Sequence, residues 1–335
     1  MTNVAINGLG RIGRATLKIL LETPELNLRA VNDLVPADNL AYLLRYDTVY
    51  GRYDKEVRVD GNKLVIDGNE IPVYDKKSPN DLPWKEREID TVFECTGVFR
   101  KQEDMHKHLE AGARRVVLSA PAKSEGVPTV VLGASETNGR PDLVSCASCT
   151  TNCITPVVEI LDRRIGVEKA TMTTVHAYTS SQQIVDGPSK RFRRGRAAAA
   201  NLVPTSTGAA EATGKVLPRF QGKFSGVAIR GPVPCGSIAD IVCVTARNTS
   251  AQEINDIFRE EARSERYQGI LGVSEDPIVS SDIVRDPRAS VVEVNETLVT
   301  GGNLVKVMSW YDNEWGYAAQ MVRYAVAAAR QPANA

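Results

Sequence analysis

The sequence predicts a two-domain α/β protein, in which a doubly wound parallel sheet precedes an α+β domain with a mostly antiparallel sheet. The chain has 335 residues, more than one ordinary hydrophobic core accommodates. Short apolar runs alternate with helical segments in the first half, whereas long strand-like runs dominate beyond residue 148. We place the first domain at residues 1–148 and the second at residues 149–313. A C-terminal helix at about 314–335 is expected to pack back onto the first domain.

The composition excludes several classes of protein. The chain contains 41 basic and 41 acidic residues, so no net field recruits nucleic acid or an anionic membrane. No apolar run approaches the roughly 18 residues that span a bilayer. The six cysteines do not form a disulfide framework, and no group of histidines, cysteines and carboxylates has the spacing of a metal site. We expect a cytoplasmic protein that binds no metal, nucleic acid or membrane.

The N-terminal segment carries a glycine motif. A short apolar strand at 4–7 is followed at once by Gly8, Gly10 and Gly13, and then by a helical segment at 14–22. Strand, glycines and helix in this order are the context that a dinucleotide-binding motif requires. Gly8 permits the tight turn, Gly10 lets the backbone approach a pyrophosphate, and Gly13 lets helix and strand pack closely. The motif predicts a Rossmann-type site with phosphates at the helix N-terminus.

The second strand, at 28–31, ends next to an acidic residue. Asp33 lies 20 residues after Gly13, which is the usual position of the carboxylate that binds a ribose 2′-hydroxyl. A carboxylate there repels a 2′-phosphate, so NAD is favoured over NADP, although a plain turn aspartate is the alternative. Later strand-like runs end at Thr96-Gly97 and at Ser119. Residues just beyond the carboxyl ends of parallel strands line the ligand crevice of such a sheet.

The second half opens with a cysteine at the start of a helix. Ser148 is the expected N-cap, which places Cys149 in the first turn. Unpaired N–H groups and the helix dipole favour an anion there, and such an environment lowers the pKa of a thiol and makes it nucleophilic. The alternative is a buried, unreactive cysteine. We interpret Cys149 as a catalytic nucleophile.

A nucleophilic thiol requires a base or an imidazolium partner, and the chain has three histidines. His106 and His108 fall within a charged helical stretch at 101–113, which predicts a solvated helix face for both. His176 follows the strand-like run 173–175 and is the partner by elimination.

Two segments offer phosphate sites. The densest basic run, at 191–196, is too short for a nucleic-acid surface, but arginine suits phosphate oxygens. The segment 205–208 offers hydroxyl and backbone N–H groups at a helix start, and Arg230 ends a strand nearby in sequence. A dinucleotide site, a thiol, a histidine and places for two phosphates imply oxidation of a phosphorylated aldehyde through a thioester. Inorganic phosphate would take the acyl group.

The sequence closely resembles phosphorylating glyceraldehyde-3-phosphate dehydrogenases along essentially its whole length. The most specific segments are residues 6–14, 119–123, 147–153, 173–179, 196–210 and 309–316. The resemblance implies NAD-dependent conversion of D-glyceraldehyde 3-phosphate to 1,3-bisphosphoglycerate through a thiohemiacetal and a thioester on Cys149, with His176 as the acid–base partner. It also implies a homotetramer in which the loop at about 178–201 lies at a subunit interface.

The resemblance assigns further residues. Thr179 and Arg230 match the site of the substrate phosphate, Arg194 lies near both phosphates, and Asn313 matches the residue that holds the nicotinamide carboxamide. Residues matching the inorganic-phosphate site are Ser148, Thr207 and Gly208. We also assign cofactor binding to Arg11, Ile12, Thr96, Gly97, Ser119 and Tyr317, and substrate binding to Thr150 and Ser181.

The chain departs from the usual family pattern at several places, one of which is the loop at 231–236. Ser180-Ser181 stands where many members have Asn-Asp or Gly-Asp, Gly187 replaces a common leucine, and Cys146 replaces an asparagine. Three alternatives stay open: an erythrose-4-phosphate dehydrogenase that resolves the thioester with water, an NADP-linked anabolic enzyme, and a non-enzymatic RNA-binding scaffold. The segments 119–123 and 205–208 favour the phosphorylating enzyme over the first of these.

Overall fold

The computed structural model describes residues 1–135 and 141–330, which divide into two compact units. Of the described residues, 1–130, 141–147 and 318–330 belong to the first unit, and 131–135 and 148–317 belong to the second. Among the described residues, no helix combines the length and apolar character of a membrane span. The last five residues of the expected C-terminal segment 314–335 lie outside the described residues.

The first unit is built on a central parallel sheet. Its elements before residue 148 are, in order, β1 (Thr2–Asn7), α1 (Arg11–Leu20), β2 (Leu26–Asn32), α2 (Ala37–Arg45), β3 (Tyr46–Asp47), β4 (Gly51–Arg52), β5 (Val57–Asp60), β6 (Lys63–Ile66), β7 (Asn69–Tyr74), β8 (Thr91–Glu94), α3 (Gln102–Glu110), β9 (Arg115–Leu118) and β10 (Leu143–Ser145). The strand order is β10-β9-β8-β1-β2-β7-β6-β5. The six strands from β10 to β7 are parallel, while β6 and β5 add an antiparallel edge that the sequence did not predict.

The central position of β1 explains its composition. Val4, Ala5 and Ile6 are fully buried, because helical crossovers cover both faces of a parallel sheet. The strand therefore reads as a continuous apolar run rather than an alternating one. Helix α1 follows directly and buries Leu17 and Leu20. The carboxyl ends of β1, β2 and β8 consequently lie side by side, which places the ends of these strands at one edge of the sheet.

The second unit combines three helices with a mixed sheet. Its elements are α4 (Cys149–Arg164), β11 (Val167–Ala177), β12 (Val203–Ser206), α5 (Ala209–Val216), β13 (Phe224–Gly231), β14 (Ser237–Thr245), α6 (Ala251–Arg263), β15 (Leu271–Ser274), β16 (Ser290–Thr300) and β17 (Leu304–Tyr311). The strand order is β12-β13-β11-β14-β17-β16-β15, and all pairings except β11–β13 and β15–β16 are antiparallel. The last helix, α7 (Trp315–Arg330), begins in the second unit, and its residues 318–330 are assigned to the first unit. The predicted fold class is confirmed.

Helix α4 is the core helix of the second unit. Ile154, Val157 and Leu161 on this helix are buried in the same hydrophobic cluster as Val305 and Val307 of β17. Because α4 is buried along most of its length, its N-terminal residue is held firmly against the sheet. The strand β11 is an interior strand of that sheet, with β13 and β14 paired on either side of it, so its carboxyl end is also well fixed.

Candidate active site

The N-terminus of α4 presents Cys149 as its first residue. Ser148 has an extended backbone and caps the helix, since its Oγ accepts a hydrogen bond from Thr151 N at 3.1 Å. This is the cap that the sequence predicted. The remaining N–H groups of the first turn are directed toward the space above Cys149, where they favour negative charge.

His176 lies next to last in β11 and faces this thiol. The distance from Cys149 Sγ to His176 Nε2 is 3.4 Å. The other ring nitrogen, Nδ1, lies 2.7 Å from Ala177 O and 2.8 Å from Nη1 of Arg230. The carbonyl favours a proton on Nδ1, which leaves Nε2 as a base, whereas the guanidinium favours a proton on Nε2. The tautomer of His176 therefore depends on the position of Arg230.

Burial governs the protonation of this pair. Burial, together with the positive charges of Arg230 and Arg194, lowers the pKa of His176 to about 3. Burial also raises the pKa of the Cys149 thiol, although Arg230 and hydrogen bonds from Thr150 oppose that shift. The sequence predicted a lowered thiol pKa, and in this structure that prediction is wrong because desolvation outweighs the helix terminus. A neutral imidazole therefore faces the thiol, and it accepts the thiol proton in the tautomer that leaves Nε2 unprotonated.

Tyr311 lies next to the Cys149–His176 pair. It was not identified from the sequence as part of the site. Its hydroxyl lies 2.9 Å from Thr150 Oγ1 and 2.8 Å from Thr174 Oγ1, and its ring meets that of His176 edge-on. The Thr150 hydroxyl is thus engaged inside the protein rather than open to a substrate. Tyr311 ends β17, and its strand position alone gave no signal that it approaches α4.

A cationic cluster lies beside His176. Arg194 donates to Thr205 Oγ1 at 3.0 Å and to Ser181 Oγ at 3.2 Å, and Ser181 in turn contacts Thr179. Within residues 1–135 and 141–330, neither Arg194 nor Arg230 has a carboxylate at ion-pairing distance. By contrast, Arg196 in the same basic run pairs with Asp186 at 2.8 Å. Two half-buried guanidinium groups with hydroxyl neighbours and no counter-ion form an anion site.

The segment after β12 supplies a further helix start. Gly208 precedes α5, and Ala209 N donates to Thr207 Oγ1 at 3.2 Å. Helix α5 packs against α4, so both helix starts belong to the same layer of the unit. Thr207 and Gly208 lie two and three residues beyond Thr205, which contacts Arg194.

Asn313 follows β17 in a tightly bonded turn. Its Oδ1 accepts from Ser237 Oγ at 2.9 Å and from Gly236 N at 3.2 Å, which fixes the amide and leaves Nδ2 as the group it offers. Ser237 Oγ also accepts from Ala177 N at 3.1 Å. The serine, which the sequence did not single out, thereby joins Asn313 to the strand end that carries His176. Tyr317, in the first turn of α7, is buried.

The carboxyl ends of β1, β2 and β8 surround a cavity of about 390 Å³ in the first unit. Gly8 has φ +94°, and a Cβ there would lie 2.7 Å from Thr96 N. Asp33 Oδ2 accepts from Leu9 N at 2.6 Å, which ties the glycine loop to β2. The lining residues are Asn7, Gly8, Gly10, Asn32, Asp33, Leu34, Lys76, Lys77, Cys95, Thr96, Val98 and Phe99. Sequence reasoning missed the asparagines, the lysines and Phe99, which come from strand ends and loops without a motif.

Other residues predicted to bind the cofactor surround the same loop. The Arg11 side chain pairs with Asp47 and lies over the Tyr50 ring, so it offers only its backbone to a phosphate at the start of α1. Ile12 follows it in α1. Gly97 has φ +71° and directly follows Thr96, and Ser119 N donates to Glu94 O at 3.0 Å.

Comparison with known proteins shows which family the chain belongs to. The family model described as the NAD binding domain of glyceraldehyde 3-phosphate dehydrogenase matches residues 2–102, and that of the C-terminal domain matches residues 148–313. The chain is 46% identical over 331 residues to glyceraldehyde-3-phosphate dehydrogenase 1 of Bacillus subtilis, covering 98% of each chain. The chain belongs to the glyceraldehyde-3-phosphate dehydrogenase family. Identity is also 46% with the enzyme of Geobacillus stearothermophilus, over 95% of this chain and 96% of that one.

Membership of the glyceraldehyde-3-phosphate dehydrogenase family confirms the resemblance that the sequence motifs indicated. It also confirms that the protein is a dehydrogenase and that its cofactor is NAD. The cavity beside the glycine loop fits that cofactor, because it combines an open Gly10, where a Cβ would meet no atom within 4 Å, with the Asp33 carboxylate.

One histidine of this family member was misjudged from its sequence. His106 is exposed, as predicted, but His108 is completely buried, so the prediction of a solvated position is wrong. Met105 and His108 lie three positions apart on α3 and share the face that packs inward. The many charged neighbours in 101–113 concealed this short inner face.

Gly13 of α1 is expected to be intolerant of substitution. In Gly13→Ala the new Cβ would lie 1.9 Å from Gly8 O, so helix and loop must separate. We expect a loss of stability of about 1–3 kcal/mol and weaker NAD binding. Thermal unfolding without NAD and calorimetric titration with NAD measure the two effects. Gly10→Ala is the matched control, because it should weaken NAD binding and leave the unfolding temperature unchanged; equal unfolding temperatures for both variants would contradict the packing argument.

Proposed function

We propose that the protein catalyses the NAD-dependent oxidative phosphorylation of D-glyceraldehyde 3-phosphate to 1,3-bisphosphoglycerate, with Cys149 as nucleophile and His176 as acid–base partner. The proposal rests on the 3.4 Å approach of Cys149 Sγ to His176 Nε2, beside two arginines that have no carboxylate partner among residues 1–135 and 141–330. The similar proteins of Bacillus subtilis and Geobacillus stearothermophilus are named glyceraldehyde-3-phosphate dehydrogenases.

The first step forms a carbon–sulfur bond. His176 Nε2 takes the thiol proton of Cys149, and the sulfur attacks the aldehyde carbon to give a thiohemiacetal. The backbone N–H groups at the start of α4 stabilise negative charge on the substrate oxygen. The imidazolium of His176 returns its proton to this oxygen, which completes the thiohemiacetal. His176, again neutral, then removes the hydroxyl proton as the carbon loses a hydride, and the thiohemiacetal becomes a thioester. When bound, NAD accepts the hydride that leaves the same carbon.

Several residues hold the cofactor in this scheme. The glycine loop with Arg11 and Ile12 receives the pyrophosphate at the start of α1, and Asp33 receives the ribose hydroxyls. Asn313 offers Nδ2 to the nicotinamide carboxamide, because Ser237 and Gly236 occupy its Oδ1. The other residues proposed to contact the cofactor are Gly8, Gly10, Gly13, Thr96, Gly97, Ser119 and Tyr317.

The last step consumes inorganic phosphate. A phosphate oxygen attacks the thioester carbonyl, the carbon–sulfur bond breaks, and the Cys149 sulfur regains a proton from His176. The substrate's own phosphate is held by Thr179, Ser181, Arg194 and Arg230. The attacking phosphate is held by Ser148, Thr207 and Gly208. At the unusual Ser180-Ser181 pair, Ser181 keeps the substrate-phosphate site polar through its bond to Arg194, whereas a carboxylate there would offset the arginine's charge.

The decisive measurement is the initial rate of NAD reduction with D-glyceraldehyde 3-phosphate in the presence and absence of inorganic phosphate. We expect steady turnover with phosphate and, without it, a burst of about one NADH per subunit as the thioester accumulates. A steady rate that is indifferent to phosphate would contradict phosphorolysis. Water would then resolve the thioester, as in an erythrose-4-phosphate dehydrogenase.

A further prediction concerns the anion site formed by Arg194 and Arg230. Replacing Arg194 by leucine removes charge-assisted hydrogen bonds to phosphate, so KM for the aldehyde substrate should rise about 10- to 100-fold. Arg193→Leu is the matched control, since Arg193 is an exposed neighbour in the same run. Steady-state kinetics at saturating NAD measure both variants. Equal KM values for the two would contradict the assignment of Arg194.

We also propose that the protein is a cytoplasmic homotetramer. The loop at about 178–201 supports an interface, because Ile184, Val185 and Phe192 expose 85%, 73% and 89% of their surface. Light scattering after gel filtration determines the oligomeric state directly.

A further inference from the structure

A buried polar cluster lies behind the dinucleotide cavity and takes no part in the reaction proposed above. We call it the Glu94 cluster, and it comprises Trp84, His108, Glu94, Asn7 and Asn32. Glu94 ends β8 and, like His108 and Trp84, has no exposed surface. A carboxylate without solvent is costly, so its partners require an explanation.

The hydrogen bonds of the cluster fix the proton of His108. Trp84 Nε1 lies 3.0 Å from His108 Nδ1, and an indole nitrogen only donates. Nδ1 is therefore the acceptor, and the imidazole proton is on Nε2. That nitrogen donates to Glu94 Oε2 at 3.1 Å. His108 is a neutral, oriented donor to the carboxylate.

Hydrogen bonds connect Glu94 to residues of the cavity wall. Its Oε2 also accepts from Asn7 Nδ2 at 2.6 Å, and its Oε1 accepts from the backbone N of Thr96 at 2.9 Å and from the Thr96 hydroxyl. Four donors thus converge on two oxygens, an arrangement that suits an ionised carboxylate, which only accepts. Asn7 and Thr96 both line the cavity.

The chain of bonds continues to the next strand. Asn7 Oδ1 accepts from Asn32 Nδ2 at 2.7 Å, and Asn32 also bonds to both the N and the O of Lys76, at 2.9 Å and 3.0 Å. Asn32 and Lys76 line the cavity as well. Each polar atom of the cluster acts only as a donor or only as an acceptor, so the orientation of the wall residues follows from Glu94.

We propose that Glu94, oriented by His108, is a positioning residue for NAD: it sets the conformation of Asn7 and Thr96 at the dinucleotide site. The proposal rests on the assignment of NAD to this cavity. A neutral apolar residue would fill the same volume without the cost of burying a charge, and it would leave the wall residues without a common acceptor.

Glu94→Gln tests the proposal in the full-length protein. In this variant an amide nitrogen, which only donates, replaces one carboxylate oxygen and faces groups that also donate. His108 cannot switch to the tautomer that would accept from this amide, because Trp84 donates to its Nδ1. We expect the Kd for NAD and for ADP-ribose to rise at least about tenfold, while kcat at saturating NAD changes less than about twofold. The alkylation rate of Cys149 in the absence of NAD should be unchanged.

His108→Leu supplies a second variant that keeps the carboxylate, and it should weaken NAD binding in the same sense. His108→Gln restores a donor and an acceptor and should recover part of the affinity. The matched control is His106→Leu, an exposed position on the same helix, which should behave as wild type.

Folded Glu94→Gln and His108→Leu proteins with wild-type affinity for NAD would overturn the proposal, as would parallel losses in kcat and in Cys149 alkylation. If Glu94→Gln does not fold, the result for His108→Leu decides. Wild-type protein without affinity for NAD would overturn the cofactor assignment together with this proposal, whereas retained affinity in the variants would overturn this proposal alone.

Discussion

Replacing Cys149 by serine should abolish turnover while NAD binding is retained. The hydroxyl is a far weaker nucleophile than a thiol, and His176 does not activate it enough to attack the aldehyde. We expect kcat to fall by roughly four orders of magnitude or more. Because Cys149 lies on α4 of the second unit, the glycine loop of the first unit keeps its structure. Absorbance of NADH measures turnover, and calorimetry measures the affinity for NAD.

Cys153→Ser provides the matched control on the same helix. Cys153 is fully buried, its Sγ lies 3.8 Å from Ser290 Oγ, and burial raises its pKa to about 12. Burial likewise raises the pKa of Cys146 and of Cys243 to about 12. Cys149 is partly exposed and faces His176, whereas these three cysteines are buried. Iodoacetamide should therefore modify Cys149 before them, and activity should be lost in proportion to that label. Residual activity in Cys149→Ser above one hundredth of wild type would contradict its role as nucleophile.

Features encoded in short segments were predicted well. The glycine motif, the cap at Ser148 and the strand that leads to His176 depend on neighbours in sequence, and the structure contains each of them. Contacts between distant segments were not predicted. Tyr311 approaches Thr150 across 161 positions, and Ser237 meets Asn313 across 76.

The two errors have a common physical cause. The sequence placed His108 in solvent and gave Cys149 a lowered pKa, and both judgements depended on local charge. Burial decided the outcome in each case, since β8 and Trp84 enclose His108 and the packing of α4 against the sheet desolvates the thiol. Burial is a property of the assembled fold, so a local pattern of charged residues does not determine it.

Replacing His176 by asparagine should lower kcat by about 10²- to 10⁴-fold, because the thiol and thiohemiacetal protons lose their acceptor. KM for NAD should change little, as His176 lies on β11 and not among the residues that line the dinucleotide cavity. The alkylation rate of Cys149 at neutral pH should also fall, since asparagine does not take the thiol proton. Stopped-flow kinetics and alkylation across pH 5–9 measure these effects.

The His176→Asn variant should also differ from wild type in the pH dependence of its free energy of unfolding. Burial lowers the pKa of His176 to about 3, below its value of about 6.5 in an unfolded chain. Between these values the unfolded chain binds a proton that the folded protein does not, so wild type loses stability as the pH falls. The His176→Asn variant has no titrating group at this position, so it lacks this pH-dependent loss of stability. From pH 6.5 to 5, wild type should lose about 2 kcal/mol relative to the variant, as urea unfolding at fixed protein concentration would measure. Parallel pH dependence of the two proteins would show that burial does not lower the pKa of His176 in the folded protein.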